Sequence, residues 1–383
     1  MSVPSFKIIF PGKLVTGNGT LPQLATDVLD LQPRKIFIAT ITPLLKTIDE
    51  FAATFKQQSI EVLVDTSIVA EPSFSDFEQL MTKVAPFNPD VVIGIGGGSV
   101  LDIAKLVAAQ LENEQQLREY VGIGLLKARK KKLICVPATS GTGSEVSPNA
   151  ILVDDADNQK KGIISPFLVP DIVYVDPLLT VSVPPAITAA TGMDALTHCL
   201  EAYTNKFAQP FIDLFAYEGM KLIAANIVTA VKDGSNIEAR EKVALGSLYG
   251  GFCLGPVNTA GVHALSYPLG SMYHLAHGLS NAVLLPYVME YNIVAAVDRY
   301  ADVAVALGCT KEADAWATAK AGVEKIKELN KACGIPASLK EVGVKDETIT
   351  QMASEAMKIQ RLLKNNPREI TEQDAVAIFK SAF

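Results

Sequence analysis

Cysteine is scarce in this chain. Five occur among 383 residues, at positions 135, 199, 253, 309 and 333. They are odd in number, widely spaced and form no CxxC pair, which excludes a disulfide framework and points to a reducing, cytoplasmic compartment. Long apolar runs are missing too: no stretch reaches the roughly 18 uninterrupted apolar residues that a membrane-spanning helix needs. The opening MSVPSFKIIF has no basic region followed by an apolar run, so no secretory leader is read there. Positive charge is also limited. Lys and Arg total 34 against 41 Asp and Glu, for a net charge of −7. A mildly acidic chain without a basic block excludes nucleic acid and anionic membrane as natural partners. The basic residues within 127–132 read as a solvated turn between a helix and the next strand. Histidine is scarcest among the residues that carry chemistry, with four in the whole chain.

What is present is apolar and periodic. Hydrophobic residues make up 49% and charged residues 20%, enough for a sizeable core, and the length suits two domains. In the first half, short β-branched runs (35–40, 59–64, 90–95, 132–137) alternate with helical patterns such as 74–84 and 100–111. That alternation predicts a mostly parallel sheet with helices on both faces. Beyond Pro184-Pro185 the apolar spacing becomes helical throughout, over 189–203, 209–231, 239–254 and several stretches from 295 to 383. The expected organisation is an α/β dinucleotide-binding domain over 1–180 and an all-α, metal-binding domain over 181–383, with the active site in the cleft between them. No internal repeat or low-complexity tract is found.

Residues 90–105, DVVIGIGGGSVLDIAK, run an apolar strand into Gly96-Gly97-Gly98-Ser99 and on into a helix. Glycines let the backbone approach a ligand closely. Ser99 is expected to cap the helix with Asp102 completing a capping box, and the helix N-terminus then faces a pyrophosphate. The spacing is not GxGxxG, and a turn needed only for packing is the competing reading. A second loop, PATSGTGSEVSP at 137–148, also follows a strand and concentrates hydroxyls that can hydrogen-bond phosphate or ribose.

All four histidines fall in two windows of the helical half. In GMDALTHCLEAY (192–203), Asp194 and His198 are four apart and share a helix face. HALSYPLGSMYHLAHG (263–278) supplies His263 and His277, with His274 expected one helical turn from His277. A carboxylate and three imidazoles from two helical stretches suit a divalent first-row metal, iron or zinc, with a position left for substrate. Any one of these histidines alone reads as a core or surface residue. Their clustering raises the metal reading. Cys199 and Cys253 read as small buried apolar residues.

With both loops and this constellation in view, the chain resembles the iron-containing, or group III, alcohol dehydrogenases, which include lactaldehyde reductase and propanediol dehydrogenase. The resemblance spans almost the whole chain. It rests on GGGSVLDIAK, PATSGTGSEVSP, DPLLT (176–180), GMDALTHCLEAY, HALSYPLGSMYHLAHGLSNAVLLP and NPRE (366–369). It implies a dehydroquinate synthase-like fold, dimers or larger homo-oligomers, and hydride transfer between NAD(H) or NADP(H) and a small alcohol or aldehyde. It also implies one divalent metal, Fe2+ first and Zn2+ second, held by Asp194, His198, His263 and His277. Gly97, Gly98, Ser99, Asp102, Thr139, Ser140, Thr142, Lys161 and Leu179 carry over to the cofactor. Asn149, Val153 and Phe252 carry over to the substrate.

The chain departs from the family pattern in two places. Where many members have a further histidine four residues after the third ligand, this chain has Tyr267, which excludes an imidazole there. His274 and Tyr267 are the candidate proton relays, with His274 preferred because imidazole titrates near neutrality; a packing or surface role is the alternative for each. After the second strand, residues 39–42 (ATIT) offer no carboxylate for the adenosine ribose. That leaves NADPH open, while Glu71 could restore NADH. Apart from Arg368 in NPRE, no arginine stands in these motifs, so a strongly anionic substrate is not specifically indicated. The competing readings are a hydroxyacid–oxoacid transhydrogenase, a dehydroquinate synthase-like lyase and a non-catalytic dinucleotide sensor.

Overall fold

The computed structural model of the chain describes residues 5–69 and 71–383. Residues 1–4, part of the stretch read above for a leader, lie outside the described residues, as does residue 70. The chain forms two compact units. One comprises residues 8–139 and 144–180, the other residues 140–143 and 181–383 together with 5–7.

The first unit contains β1 (Lys13–Thr16), α1 (Gln23–Asp30), β2 (Lys35–Ala39), α2 (Leu45–Gln57), β3 (Glu61–Asp65), α3 (Phe74–Phe87), β4 (Val91–Gly96) and α4 (Gly98–Gln110). After these come β5 (Gly122–Ile123), β6 (Lys132–Pro137), β7 (Asn149–Asp154), β8 (Gln159–Ile164) and β9 (Ile172–Val175). Six strands make one parallel sheet in the order β1-β9-β6-β4-β2-β3, and β5, β8 and β7 make a small second sheet. The apolar runs of β2, β4 and β6 are buried on both faces, as parallel strands are. Ile36, Ile38, Ile93 and Ile134 join one core with Ile48, Phe51 and Phe55 of α2. Phe37, Val92, Leu133 and Cys135 join the other with residues of α3 and α4. The chain therefore leaves the neighbouring strands β2 and β4 toward opposite faces. That divergence opens a crevice at their C-terminal ends, where open α/β sheets bind ligands.

The basic stretch at 127–132 is less solvated than expected. Arg129 donates to the carbonyls of Phe167, Lys131 and Val169 and pairs with Asp171, and the buried Lys131 pairs with Glu112. These two cations close the turn before β6, which follows β5 and not a helix.

The second unit is helical: α5 (Pro185–Thr204), α6 (Pro210–Lys232), α7 (Ile237–Cys253), α8 (Gly261–Tyr273) and α9 (His277–Asn292), followed by α10 (Val297–Ala306), α11 (Ala315–Ala332), α12 (Ile349–Met357), α13 (Gln360–Leu363) and α14 (Glu372–Ser381). Pro185 opens α5 at its first position, where a missing N–H costs nothing. α6, α7 and α9 surround α5, so every residue of α5 from Gly192 to Thr204 is buried. Among the described residues α6 alone is long and apolar enough to cross a membrane by length and composition. Here it packs along α5 and α7, burying Ile212, Met220, Ile223 and Ile227.

Candidate metal centre and nucleotide turn

Three helices build the metal centre. α5 carries Asp194 and His198 one turn apart on one face, α8 carries His263 in its first turn, and α9 begins with His277. Gly278 explains how α9 reaches α5. A Cβ there would stand 2.3 Å from the carbonyl oxygen of Ala190 and 3.2 Å from Asp194 Cβ, so only glycine admits this approach. Asp194 Oδ1 lies 3.8 Å from His198 Nε2, 3.6 Å from His263 Nε2 and 3.8 Å from His277 Nε2. The ligand atoms of Asp194, His263 and His277 all lie within 4.8 Å of one another. His198 falls outside that set of mutual distances, with its ring stacked on His263 at 4.9 Å and 22°.

Two expectations are corrected. The four residues come from three helices, not two stretches. His274 is not one helical turn from His277, because it closes α8 in the left-handed region (φ 54°) and the chain turns before α9 begins. That geometry leaves His274 exposed while the other three histidines turn inward.

The local charges keep the Asp194 carboxylate ionised. Burial alone would raise the Asp194 carboxyl, but the charges of His198 and His277 and the hydrogen bond and charge of His263 outweigh it and hold Asp194 well below the usual carboxylate range. Burial pushes His198 below ordinary imidazole. His263 goes the other way: burial opposes its charge, but Glu201 and Asp194 carry it up to about 9. Asn281 provides a further test of fit. Its amide nitrogen donates to Asp194 Oδ1 at 2.7 Å and lies 3.1 and 3.3 Å from the Nε2 atoms of His263 and His277, while its own carbonyl oxygen is buried without a partner. The amide nitrogen thus stands where the Asp194 oxygen and two imidazole nitrogens converge. A carboxylate and imidazoles around such a point are the donor set that Fe2+ or Zn2+ takes.

Tyr267 lies one turn after His263 on α8, its ring 6.3 Å from that of His277. Its hydroxyl accepts a 2.7 Å hydrogen bond from Arg361 on α13. The site's surroundings therefore include an arginine that stands in none of the sequence motifs. Asn281, Glu201 and Arg361 were all missed by the sequence reading. Glu201 and Asn281 follow a ligand at helical spacing (His198 and His277), a usable signal. Arg361 has none.

In the first unit, β4 runs into Gly97, which precedes α4 without any side-chain cap. The expected capping box is absent. Ser99 is already inside the helix, and Asp102 turns away to accept from Ser144 Oγ (2.5 Å) and the Ile151 N–H (2.9 Å). The first amides of α4, including those of Gly98 and Ser99, are therefore left without a protein cap, as an anion-binding helix end requires. Thr139 stands beside the turn: a Cβ on Gly97 would be 3.6 Å from its Oγ1. Lys105, fully buried, donates to Ser144 Oγ (2.8 Å) and to the carbonyls of Ser147 (3.0 Å) and Asn149 (2.7 Å). It fixes the second loop to α4.

The remaining sequence candidates lie as follows. Ser140 and Thr142 belong to the second unit, where a Cβ on Gly141 would meet Thr191 at 2.6 Å. Lys161 pairs with Asp157, while its neighbour Lys160, opposite Val153 in the β7–β8 register, holds Glu71. Leu179 packs on the core around Ile38 and Ile93. The side-chain oxygen of Asn149 is buried without a partner. Phe252 on α7 is buried, 5.4 Å from the ring of Phe215.

Residues 11–177 match the profile of the iron-containing alcohol dehydrogenases, and residues 188–383 match the C-terminal profile of the same Fe-containing family. The chain is 38% identical to long-chain-alcohol dehydrogenase 1 of Geobacillus thermodenitrificans, over 98% of this chain and 96% of that protein. It is 36% identical to a 1,3-propanediol dehydrogenase of Klebsiella pneumoniae, over 88% and 87%. A crystal structure of a 1,3-propanediol oxidoreductase superposes with a TM-score of 0.95 at 33% identity, covering 99% of this chain and all of that one. The chain belongs to the iron-containing alcohol dehydrogenase family. Its activity class is metal-dependent oxidoreduction of alcohols and aldehydes with a nicotinamide dinucleotide. The lyase and transhydrogenase readings find no support among the relatives named here.

Proposed function

We propose that the protein interconverts a small alcohol and its aldehyde, with Asp194, His198, His263 and His277 holding one divalent metal, Fe2+ before Zn2+. The observation that carries this reading is the convergence of three imidazole Nε2 atoms on Asp194 Oδ1 inside a buried helical cluster. A metal bound there supplies Lewis acidity to the substrate oxygen, and the nicotinamide accepts or donates the hydride. The chain's own residues then hold and orient. Gly97, Gly98 and Ser99 offer the uncapped amides of α4 to a pyrophosphate. Thr139 stands beside them, and Asp102 with Lys105 keeps the second loop in register. Ser140, Thr142, Lys161 and Leu179 complete the proposed cofactor set, and Asn149, Val153 and Phe252 the substrate set.

Tyr267 is the better proton relay of the two candidates, because it stands beside His277 whereas His274 is exposed at the end of α8. Glu71 is already paired with Lys160, and residues 39–42 offer no carboxylate at the end of β2. Both features support acceptance of NADH and NADPH alike. The described cysteines are free thiols, in keeping with a reducing cytoplasmic compartment. Phe207, Phe211 and Leu214 are exposed at the start of α6 and support a homodimer or larger assembly.

The test is a panel of small aldehydes with protein reconstituted anaerobically with Fe2+. Turnover with both nucleotides is expected, with loss on chelation and recovery on adding metal back. Turnover that survives complete metal removal would overturn the reading.

A further inference from the structure

α8 brings His263 to the metal centre in its first turn, yet no side chain of its own caps that end. The cap comes from α5. Glu201, buried and seven residues after Asp194, accepts from the backbone N–H of Ala260 (2.9 Å), from the backbone N–H of Val262 (2.6 Å) and from His263 Nδ1 (2.6 Å). Asp194, His198 and Glu201, spaced i, i+4 and i+7, line one face of α5. The first two face the centre, and the third holds the backbone from which His263 hangs.

The donor count fixes the chemistry. One oxygen of Glu201 takes the Val262 N–H, and the other takes both the Ala260 N–H and the His263 ring. The two backbone N–H groups need an acceptor on each oxygen, which an ionised carboxylate supplies and an amide does not, and an ionised carboxylate makes Nδ1 the donor in the third contact. A proton kept on Nδ1 leaves Nε2, 3.6 Å from Asp194 Oδ1, as the ring nitrogen that faces the centre and is free to bind a metal. We infer that Glu201 is a positioning residue: it sets the His263 tautomer and the pitch of the first turn of α8, and so determines how tightly the centre holds a divalent cation. This rests on the metal reading above and goes beyond it by assigning affinity to a residue that touches no metal. Partners of this kind typically change metal affinity by about 10- to 100-fold when removed.

Glu201→Gln replaces an acceptor with N–H donors. With the amide nitrogen at the shared position, His263 can satisfy it only by moving its own proton to Nε2, the face turned to the metal. The experiment is zinc titration of the metal-stripped full-length protein against a chromophoric chelator, for wild type, Glu201→Gln and Asp194→Ala. Circular dichroism monitors the fold throughout. Zinc binding about 10- to 100-fold weaker in a folded Glu201→Gln protein is expected. Wild-type affinity in that folded variant overturns the inference, even if its melting temperature falls, because a purely structural role would move only the latter. Asp194→Ala separates the two readings: if it too binds zinc as wild type does, the metal site itself is wrong.

Should Glu201→Gln fail to fold, zinc-loaded wild type labelled with 15N-histidine decides the matter. Zinc on Nε2 of His263 with the proton on Nδ1 is the expected state. Zinc on Nδ1, or an unprotonated Nδ1, overturns the proposal.

Discussion

Gly278 and Glu145 are small parts of this protein with measurable consequences. A methyl group on Gly278 would press on the Ala190 backbone at 2.3 Å, which no side-chain rotation relieves. Gly278→Ala is expected to lower stability by about 1–3 kcal/mol, the usual cost of overpacking, and to weaken metal binding by pushing His277 from Asp194. Chemical denaturation and metal titration read the two effects. Burial pushes the Glu145 carboxyl up to about 7 from an ordinary 4.5. Between those values the unfolded chain is ionised and the folded one is not. This group's contribution to stability therefore falls as pH rises through that window, by up to about 3 kcal/mol. Glu145→Gln is expected to melt above wild type at pH 8 and to lose that advantage by pH 4; an advantage independent of pH would contradict it. Legibility at this scale follows distance along the chain. Asp194 and His198 are four residues apart and could be paired by eye. Tyr267 and Arg361 are 94 apart, and no local pattern announces that their helices meet.

Among the elements, strands buried on both faces were legible as apolar runs, and α5, α6 and α7 by helical spacing. Short or polar elements were not. β1 and β9 span four residues each, and β8 reads QKKGII; pairing partners hold them, not propensity. The capping box failed for a related reason. Asp102 finds a neighbouring loop that offers the Ser144 hydroxyl and the Ile151 amide, and tertiary partners outweigh a local cap. Lys105 is the pivot of that arrangement, its ammonium shared by Ser144, Ser147 and Asn149. Lys105→Met strands those acceptors. It is expected to lower the melting temperature and to weaken NAD(H) binding several-fold while metal content stays at the wild-type level. Calorimetry and metal analysis check the pair, and a parallel loss of metal would contradict it. The break in α8 at His274 was hidden as well, because that residue takes its left-handed conformation without glycine and SMYHLAHG reads as one continuous helix.

On the scale of the whole molecule, the proposed function assigns each unit its own half of the chemistry: uncapped amides at the C-terminal edge of a parallel sheet, and a buried carboxylate ringed by imidazoles in a helical cluster. The change from strand alternation to helical spacing near Pro184-Pro185 was visible in the sequence. That residues 140–143 belong with the helical unit was not, since a short hydroxyl-rich loop has no periodicity of its own. The most direct test of the account is anomalous scattering at the metal absorption edge from crystals of anaerobically purified, iron-loaded protein. One ion per chain is expected, coordinated by Asp194 and the Nε2 atoms of His198, His263 and His277. An ion bound elsewhere, or full metal content in Asp194→Ala, would contradict it.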